Sequence, residues 1–187
     1  MKRTRFLLML LLFCFASLSA KNAYKQGDMV GHLGLGIGGL GGFYGSSSLP
    51  VIAVGLDFGI EKYISVGGIV GYTSSSQEFN YFIINAPSVY KWKYTYITIG
   101  ARGSYHFYQI DNEKLDVYGG AGLGYNIVSA SFQGDATRRT AVGGASGSYL
   151  FFGIHAGARY YFSPAFAAFA ELGYGIGILN IGISMKL

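Results

Sequence analysis

Hydrophobic residues alternate with small or polar residues along most of this chain. In residues 52–60, isoleucine, valine, leucine and phenylalanine alternate with alanine, glycine and aspartate. Alternation with a period of two is typical of a β-strand with two unlike faces. The same pattern recurs in seven further segments, at residues 30–40, 64–73, 97–107, 116–127, 149–162, 166–176 and 179–187. The sequence therefore predicts eight antiparallel strands.

The residues opposite the apolar face decide between two architectures. In a soluble β-sandwich that second face meets water and would be rich in Lys, Glu, Thr and Asn, whereas here it consists mostly of Gly and Ser. Small residues fit the crowded lumen of a barrel of about eight strands, which is just wide enough for its own side chains. The apolar face then meets lipid. We therefore expect an all-β fold, an eight-stranded antiparallel up-and-down transmembrane β-barrel.

Short and long connections alternate between the predicted strands. The breaks at 61–63, 108–115 and 163–165 are short or moderate, and those at 41–50, 74–91 and 131–147 are long. Outer-membrane barrels have short periplasmic turns and longer external loops. Both termini are therefore expected in the periplasm.

Aromatic residues concentrate near the predicted strand ends, as they do in the interfacial girdles of membrane barrels. The pattern predicts one girdle made of Tyr63, Tyr105, Phe107, Tyr160, Phe162 and Phe166, and a second made of Trp92, Tyr94, Tyr149 and Tyr174.

The first 20 residues differ from the rest of the chain. Three basic residues lie within residues 1–5, residues 6–15 are continuously apolar, and residues 16–20 are rich in small side chains. This layout is typical of a secretory signal peptide. We expect a signal peptide at 1–20, followed by a barrel domain at 21–187. The single cysteine, Cys14, is then lost with the leader.

Composition and charge narrow the classes of function. The chain is 51% hydrophobic and 12% charged, so it can bury surface and is not of the disordered class. After residue 20 no apolar run approaches the roughly 20 residues that a spanning helix requires. Of the 14 basic residues, the three in the leader are removed, which leaves 11 against 9 acidic residues. These are scattered and form no basic stripe, so no nucleic-acid partner is expected.

Three segments resemble strands of a known family. They are Gly-Ala-Arg-Gly-Ser-Tyr-His-Phe at 100–107, Leu-Asp-Val-Tyr-Gly-Gly-Ala-Gly-Leu-Gly-Tyr at 115–125 and Ala-Phe-Ala-Glu-Leu-Gly-Tyr-Gly at 168–175. They are similar to strands of the small outer-membrane β-barrel family, the porin-like and opacity-type relatives of the OmpA membrane domain. Residues 180–187 resemble the C-terminal assembly signal of such barrels, although Met185 and Leu187 stand where the family prefers aromatic residues.

This resemblance carries expectations about location and partners. It implies the outer membrane of a Gram-negative-type bacterium. The partners it implies are outer-membrane lipid, lipopolysaccharide and the barrel assembly machinery. We expect a monomer.

Charged residues on the inward face are the first candidate site. They are Asp57, Arg102, Asp116, Arg159, Glu171 and Lys186. We expect them to form a structural salt-bridge network that fills the lumen, in which Arg159 and Glu171 face each other across the hairpin at 163–165. A path for protons or ions is the alternative.

No catalytic, cofactor or metal site is predicted. The inward histidines His32, His106 and His155 lack the spacing of metal ligands. The glycine-rich segment 34–42 is not followed by the Lys-Ser or Lys-Thr of a phosphate-binding loop. Barrel lipid A hydrolases need Ser, His and a carboxylate at the outer rim, and no such set can be placed there. We therefore expect no enzyme activity and no cofactor.

The long connections hold the second candidate site. They contain the clusters with interaction character, namely Phe79, Tyr81, Phe82, Tyr90, Trp92, Arg138 and Arg139. Exposed aromatic patches often mark binding surfaces, but these residues could equally continue the strands above the membrane. The expected function is a structural or adhesin-like role through external loops that bind an extracellular ligand. The alternative is a narrow passive pore for small solutes.

Overall fold

The computed structural model describes residues 23–38, 47–83, 86–110, 112–133 and 146–187, with side chains except at 47–48, 79–90 and 133. Its eight barrel strands are β1 (Met29–Ile37), β2 (Val51–Glu61), β3 (Ile64–Ile83), β4 (Ala86–His106), β5 (Leu115–Gln133), β6 (Gly147–Tyr161), β7 (Phe166–Tyr174) and β8 (Leu179–Lys186). A two-residue strand, Ser47–Ser48, pairs with β3 before β2 begins. A single 3₁₀ turn, Tyr108–Ile110, follows β4. The described part of the chain has no helix long and apolar enough to cross a membrane.

The strands form one closed sheet. Each strand pairs antiparallel with the next in the chain, and β8 returns to pair with β1 from Val30↔Lys186 to Ile37↔Leu179. Closure pairs the backbone groups of the first and last strands, as a hydrocarbon environment requires. The predicted eight-stranded up-and-down barrel is confirmed.

The two faces of the barrel wall have opposite chemistry. Side chains on the outer face are large and apolar, and Phe152 is 76% exposed to the surroundings. Side chains on the inner face are polar and buried, and Arg159 is 2% exposed. Glycine on the inner face lets neighbouring strands and side chains approach closely, since a Cβ at Gly120 would collide with the backbone of Gly103. The core of this protein is therefore a polar lumen.

We call the end of the barrel with the connections β2–β3, β4–β5 and β6–β7 the turn end, and the opposite end the mouth. At the turn end an aromatic girdle lies on the outer face. It consists of the exposed residues Tyr105, Phe107, Tyr160, Phe162 and Phe166. In the β2–β3 turn, Tyr63 stacks on Tyr108 with ring centroids 4.3 Å apart.

The second predicted girdle is wrong for three of its four members. Tyr174 lies on the outer face and is 72% exposed. Trp92 and Tyr94 share the inward side of β4 with the buried Thr98, and Tyr149 pairs with the buried, inward Asn126. Position near a strand end did not decide the face, because alternation along the strand continues without interruption into the mouth.

One hairpin is much longer than the membrane requires. β3 has 20 residues and β4 has 21, whereas a transmembrane strand needs only about 9–11. The predicted loop at 74–91 is therefore wrong, because residues 74–83 and 86–91 are paired strand. β5 continues beside them to Gln133. We call β3 from Thr73, β4 up to Tyr96 and β5 from Val128 the extension.

Candidate functional site

An ion-pair network crosses the lumen on the turn-end side of its middle. Asp57 on β2 and Arg102 on β4 both pair in register with Gly67 on β3. The missing side chain of Gly67 leaves space for them, and Arg102 Nε lies 3.4 Å from Asp57 Oδ1. The guanidinium of Arg102 also makes a bidentate contact with Glu171 on β7, at 3.0 and 3.3 Å. This contact joins opposite walls of the barrel.

A second arginine completes the network. Arg159 on β6 donates to Asp57 Oδ2 at 2.5 Å and lies 3.5 Å from Asp116 Oδ2 on β5. Its guanidinium carbon lies 4.4 Å from the centre of the Tyr118 ring. The hydroxyl of Tyr118 donates to Glu171 Oε2 at 3.0 Å. The network sets two guanidinium groups against three carboxylates, and each guanidinium contacts two of them. Pairing with opposite charge is a condition under which buried ions are tolerated.

Two expectations about this network are wrong. Arg159 and Glu171 do not pair, because Arg159 lies opposite Phe169 while Glu171 lies opposite Gly157. The register of the β6–β7 hairpin is offset by two residues from the expected one. Lys186 lies outside the network at the turn end, where it contacts Asp28 Oδ2 at 2.8 Å and the carbonyl of Ala23 at 2.5 Å.

A hydrogen-bonded Ser–His–Asp chain closes the turn end. Ser65 Oγ lies 3.0 Å from His106 Nε2, and His106 Nδ1 lies 2.7 Å from Asp116 Oδ1. Serine hydrolases use the same order of contacts. Here Ser65 is only 2% exposed, and Tyr24 covers the imidazole in a parallel stack with centroids 3.5 Å apart. The chain of contacts is therefore closed to substrate in this structure.

Tyr24 seals this end of the lumen. Its hydroxyl donates to the carbonyl of Ile64 at 2.7 Å. Burial raises the pKa of this hydroxyl to about 12, with the charge of Asp116 adding to the effect. The hydroxyl stays protonated at neutral pH and keeps donating. Sequence reasoning missed both Tyr24 and Ser65, since Tyr24 precedes the first strand and Ser65 is one of many inward serines.

An apolar turn blocks the lumen on the mouth side. Between β7 and β8, Gly175 adopts a φ of +128°, which favours glycine. Ile176 reaches across the lumen, so that a Cβ on Gly71 of β3 would lie 3.5 Å from Ile176 Cγ2. A cavity of about 40 Å³ remains between this turn and the ion pairs, lined among others by Phe151, Ile176, Arg102 and Glu171.

The outer face of the wall changes from apolar to polar residues towards the mouth. On the outer face of β4, the exposed Ile99 and Ile97 give way to Thr95 and the exposed Lys93. The same change occurs on β5, where exposed serines follow Ile127. On the inner face of β4, Thr98 gives way to Tyr96, Tyr94 and Trp92. The extension is therefore polar outside and, along β4, aromatic inside, as expected of a sheet that has left the lipid.

The aromatic surface candidates belong to the extension. Trp92 is buried, against our expectation, because it points inward and packs on Phe132 and Tyr94 at centroid distances of 5.2 and 6.3 Å. The backbones of Phe79, Tyr81, Phe82 and Tyr90 lie on the β3–β4 hairpin. Arg138 and Arg139 lie outside the described residues. Within the described residues no group of His, Cys, Asp and Glu could hold a metal ion.

Comparison with known proteins assigns the family. The family model described as outer membrane protein beta-barrel domain matches residues 6–183. The chain therefore belongs to the outer-membrane protein β-barrel domain family and is an outer-membrane barrel. No curated protein matches its sequence.

Solved structures share the fold at low sequence identity. The outer membrane protein OprG from Pseudomonas aeruginosa is 12% identical with a TM-score of 0.58, over 91% of this chain and 99% of that one. The outer membrane protein Ail from Yersinia pestis, in a phospholipid bilayer nanodisc, is 16% identical with a TM-score of 0.50, over 87% and 100%. The N-terminal β-barrel domain of Pseudomonas aeruginosa OprF is 14% identical with a TM-score of 0.48, over 88% and 100%.

Proposed function

We propose that this protein is a closed barrel scaffold with a structural or adhesin-like role, in which the mouth presents the extension to an extracellular ligand. The observation that carries the proposal is the contrast between a blocked lumen and a hairpin roughly ten residues longer per strand than the bilayer needs. A strand of 20 residues is costly to order. A length that the membrane does not require therefore favours a role outside it.

The contents of the lumen support a scaffold rather than a channel. Three successive layers lie across it, namely Tyr24 with the Ser–His–Asp chain, the ion-pair network, and the turn with Ile176. A solute would have to separate buried ion pairs, and breaking such a pair costs about 3–5 kcal/mol.

The asymmetry of the two ends supports an orientation in the membrane. Short turns face the periplasm in barrels of this kind, so we place the turn end and both termini there and the extension outside. The leader at 1–20 is removed on export, the barrel assembly machinery inserts the chain as a monomer, and lipopolysaccharide surrounds the outer rim. We expect no cofactor, and we expect no enzyme activity because Tyr24 covers the Ser–His–Asp contacts.

A narrow passive pore is the second candidate. The cavity of about 40 Å³ above Arg102 and Glu171 favours it, because this space is large enough for a few water molecules. For conduction, both neighbouring layers would have to move.

The experiment removes the tip of the extension and leaves the barrel intact. Gln77 and Trp92 are paired across the hairpin, so residues 78–91 can be replaced by Asn-Gly, which closes a two-residue hairpin. Cells that display the native barrel or this variant are tested for adhesion to immobilised laminin, fibronectin and collagen. The proposal expects adhesion by the native barrel and its loss in the variant.

A second variant replaces residues 134–145, which contain Arg138 and Arg139, by a Gly-Ser linker. The shift in gel mobility on boiling serves as the folding control for both variants, because a closed strand ladder resists detergent until heated. Adhesion that is unchanged in both folded variants contradicts the proposal.

A further inference from the structure

The inner face of the extension is uncharged, and it is aromatic along β4. It carries Trp92, Tyr94 and Tyr96 of β4, with Phe132, Ala130 and Val128 of β5 on one side and Gln77, Ser75 and Thr73 of β3 on the other. Across the mouth, Tyr149 of β6 faces inward as well. No charged side chain shares this face among residues 73–77, 92–98 and 126–132, because Lys93, the charged residue in these ranges, points to the other side. A face of this composition differs from the ionic lumen below it.

The tyrosines converge at the mouth. Tyr96 lies one ladder step above Thr98, which pairs with Asn126, and Asn126 pairs with Tyr149. Tyr94 and Tyr96 lie on the inward face of β4, and Tyr149 lies on the inward face of β6 opposite Asn126, so the three rings face the same mouth. Tyr149 is 45% exposed. A ligand that enters from outside can therefore reach this cluster.

Two buried donors on this inner face, six residues apart along the ladder, lack acceptors among the described residues. Asn126 is fully buried, and its Oδ1 accepts from Thr98 Oγ1 at 2.5 Å, but its Nδ2 has no partner. The indole Nε1 of Trp92 also has no partner. An unsatisfied buried donor costs about 1–3 kcal/mol. Both nitrogens are covered in this structure, so a ligand with oxygen acceptors recovers this cost only when the neighbouring side chains move aside.

We propose that this aromatic mouth is a binding site for an uncharged saccharide. The inference rests on the proposed function, since it names the ligand class of the surface that the extension presents. A pyranose has an apolar C–H face that packs on aromatic rings, and hydroxyl oxygens that accept from amide, phenol and indole donors. Tyr149, which is 45% exposed, offers a ring and a phenol donor together, and Tyr94 and Tyr96 face the same mouth.

Other ligand classes fit less well. An acidic or basic peptide needs opposite charges, which this inner face does not carry in the described ranges. An acyl chain would bury the phenol and amide groups without giving them partners, which costs free energy. A neutral sugar is the ligand class that fits both the aromatic rings and the hydrogen-bond donors.

The test uses the protein's single tryptophan as its reporter. The full mature chain is refolded in a detergent without a sugar headgroup, because such a headgroup would compete. Maltohexaose, cellohexaose and N-acetylchitohexaose are titrated while Trp92 emission is recorded. We expect a saturable change with at least one of them. Tyr149→Ala should weaken the apparent affinity at least tenfold, because it removes a stacking ring.

Tyr174→Ala is the matched control, since Tyr174 faces lipid and is exposed. It should leave the affinity unchanged. The gel shift on boiling verifies that each variant is folded. No emission change with any of the three sugars, or an equal loss in both tyrosine variants, overturns the saccharide site.

Adhesion assays with the same variants separate this inference from the proposed function. If the native barrel ignores all three sugars but adheres through residues 78–91, the saccharide site fails and the surface role stands. If sugars bind through Tyr149 but removal of residues 78–91 leaves adhesion unchanged, the saccharide site stands and the role of the hairpin tip fails.

Discussion

The inward-facing side chains differ between the two halves of the lumen, although the same strands form both. In the turn-end half the wall faces lipid, so the polar side chains point inward and must neutralise one another, as Asp57, Arg102 and Glu171 do. In the extension the wall faces water, so the aromatic side chains point inward, and Trp92 packs on Phe132. β4 contributes to both halves without a break.

The comparison shows that the surroundings of the wall, lipid or water, determine which side chains face the lumen. A period of two places every second side chain inward in both halves. Only the identity of those side chains changes, between Thr98 and Tyr96 on β4. The ionic half holds the fold, and we assign the interaction with ligands to the aromatic half.

The largest effect is expected when the ionic half loses one charge. Asp57→Asn leaves Arg102 and Arg159 without a shared carboxylate in the lumen, and removal of one partner from a buried pair costs about 3–5 kcal/mol. Unfolding in urea, followed by the gel-shift band, measures the free energy of unfolding. The same change at Asp28, which pairs with Lys186 at the turn end, is the matched control. It should cost no more than about 1 kcal/mol, and equal losses would show that the network is not the main polar support.

The second prediction concerns the position on the outer face of β4 where contact with lipid ends and the extension begins. Ile99→Lys puts a charge on the lipid-facing side near the middle of the membrane and should cost about 2–4 kcal/mol. Thr95→Lys, four residues along the same face, should be nearly neutral because it lies beyond the lipid. The same unfolding experiment compares them. A similar cost at both sites would move the boundary into the extension.

The third effect concerns the aromatic half alone. Trp92→Ala removes the ring on which Phe132 and Tyr94 pack. Amide exchange in residues 91–96 and 128–132 should become at least tenfold faster, while amides of β7 and β8 are unchanged, since local opening need not spread through the barrel. Faster exchange throughout the molecule would mean that the two halves do not unfold separately.

The smallest effect tests the seal at the turn end. Tyr24→Phe keeps the stack on His106 but removes the hydrogen bond to the carbonyl of Ile64, which contributes about 0.5–1.5 kcal/mol. Urea unfolding of the full mature chain provides the measurement. Tyr24→Ala should lower the free energy of unfolding more than Tyr24→Phe does. Equal decreases would show that the stack on His106 does not stabilise the fold.

The sequence predicted the strands and the faces better than the contacts. Alternation located all eight strands and the inward position of Arg102 and Glu171, because the period of two is a local property. It did not give the partner of Arg159, since a two-residue shift in the β6–β7 register keeps the same face but changes every cross-strand neighbour. It also did not reveal that Trp92 is buried, because an aromatic residue suits a lipid boundary and a packed mouth equally well.

The turn at Gly175–Ile178 illustrates a second limit of sequence reasoning. A Gly-Ile-Gly-Ile segment continues the alternating pattern, and the predicted strand accordingly ran to 176. In the structure β7 ends at Tyr174. Gly175 then turns the chain into the lumen, so that Ile176 approaches Gly71 on the far side of the barrel. Contact between such distant parts of the chain has no signal in a local pattern.

Conductance across a planar bilayer tests the central claim most directly, namely that the barrel is a closed scaffold. The refolded mature protein, with and without residues 78–91, should give no stable single-channel steps, because all three layers across the lumen remain in each form. Stable steps in the native protein whose size changes in Glu171→Gln would contradict the claim, since they would show that ions pass through the network itself.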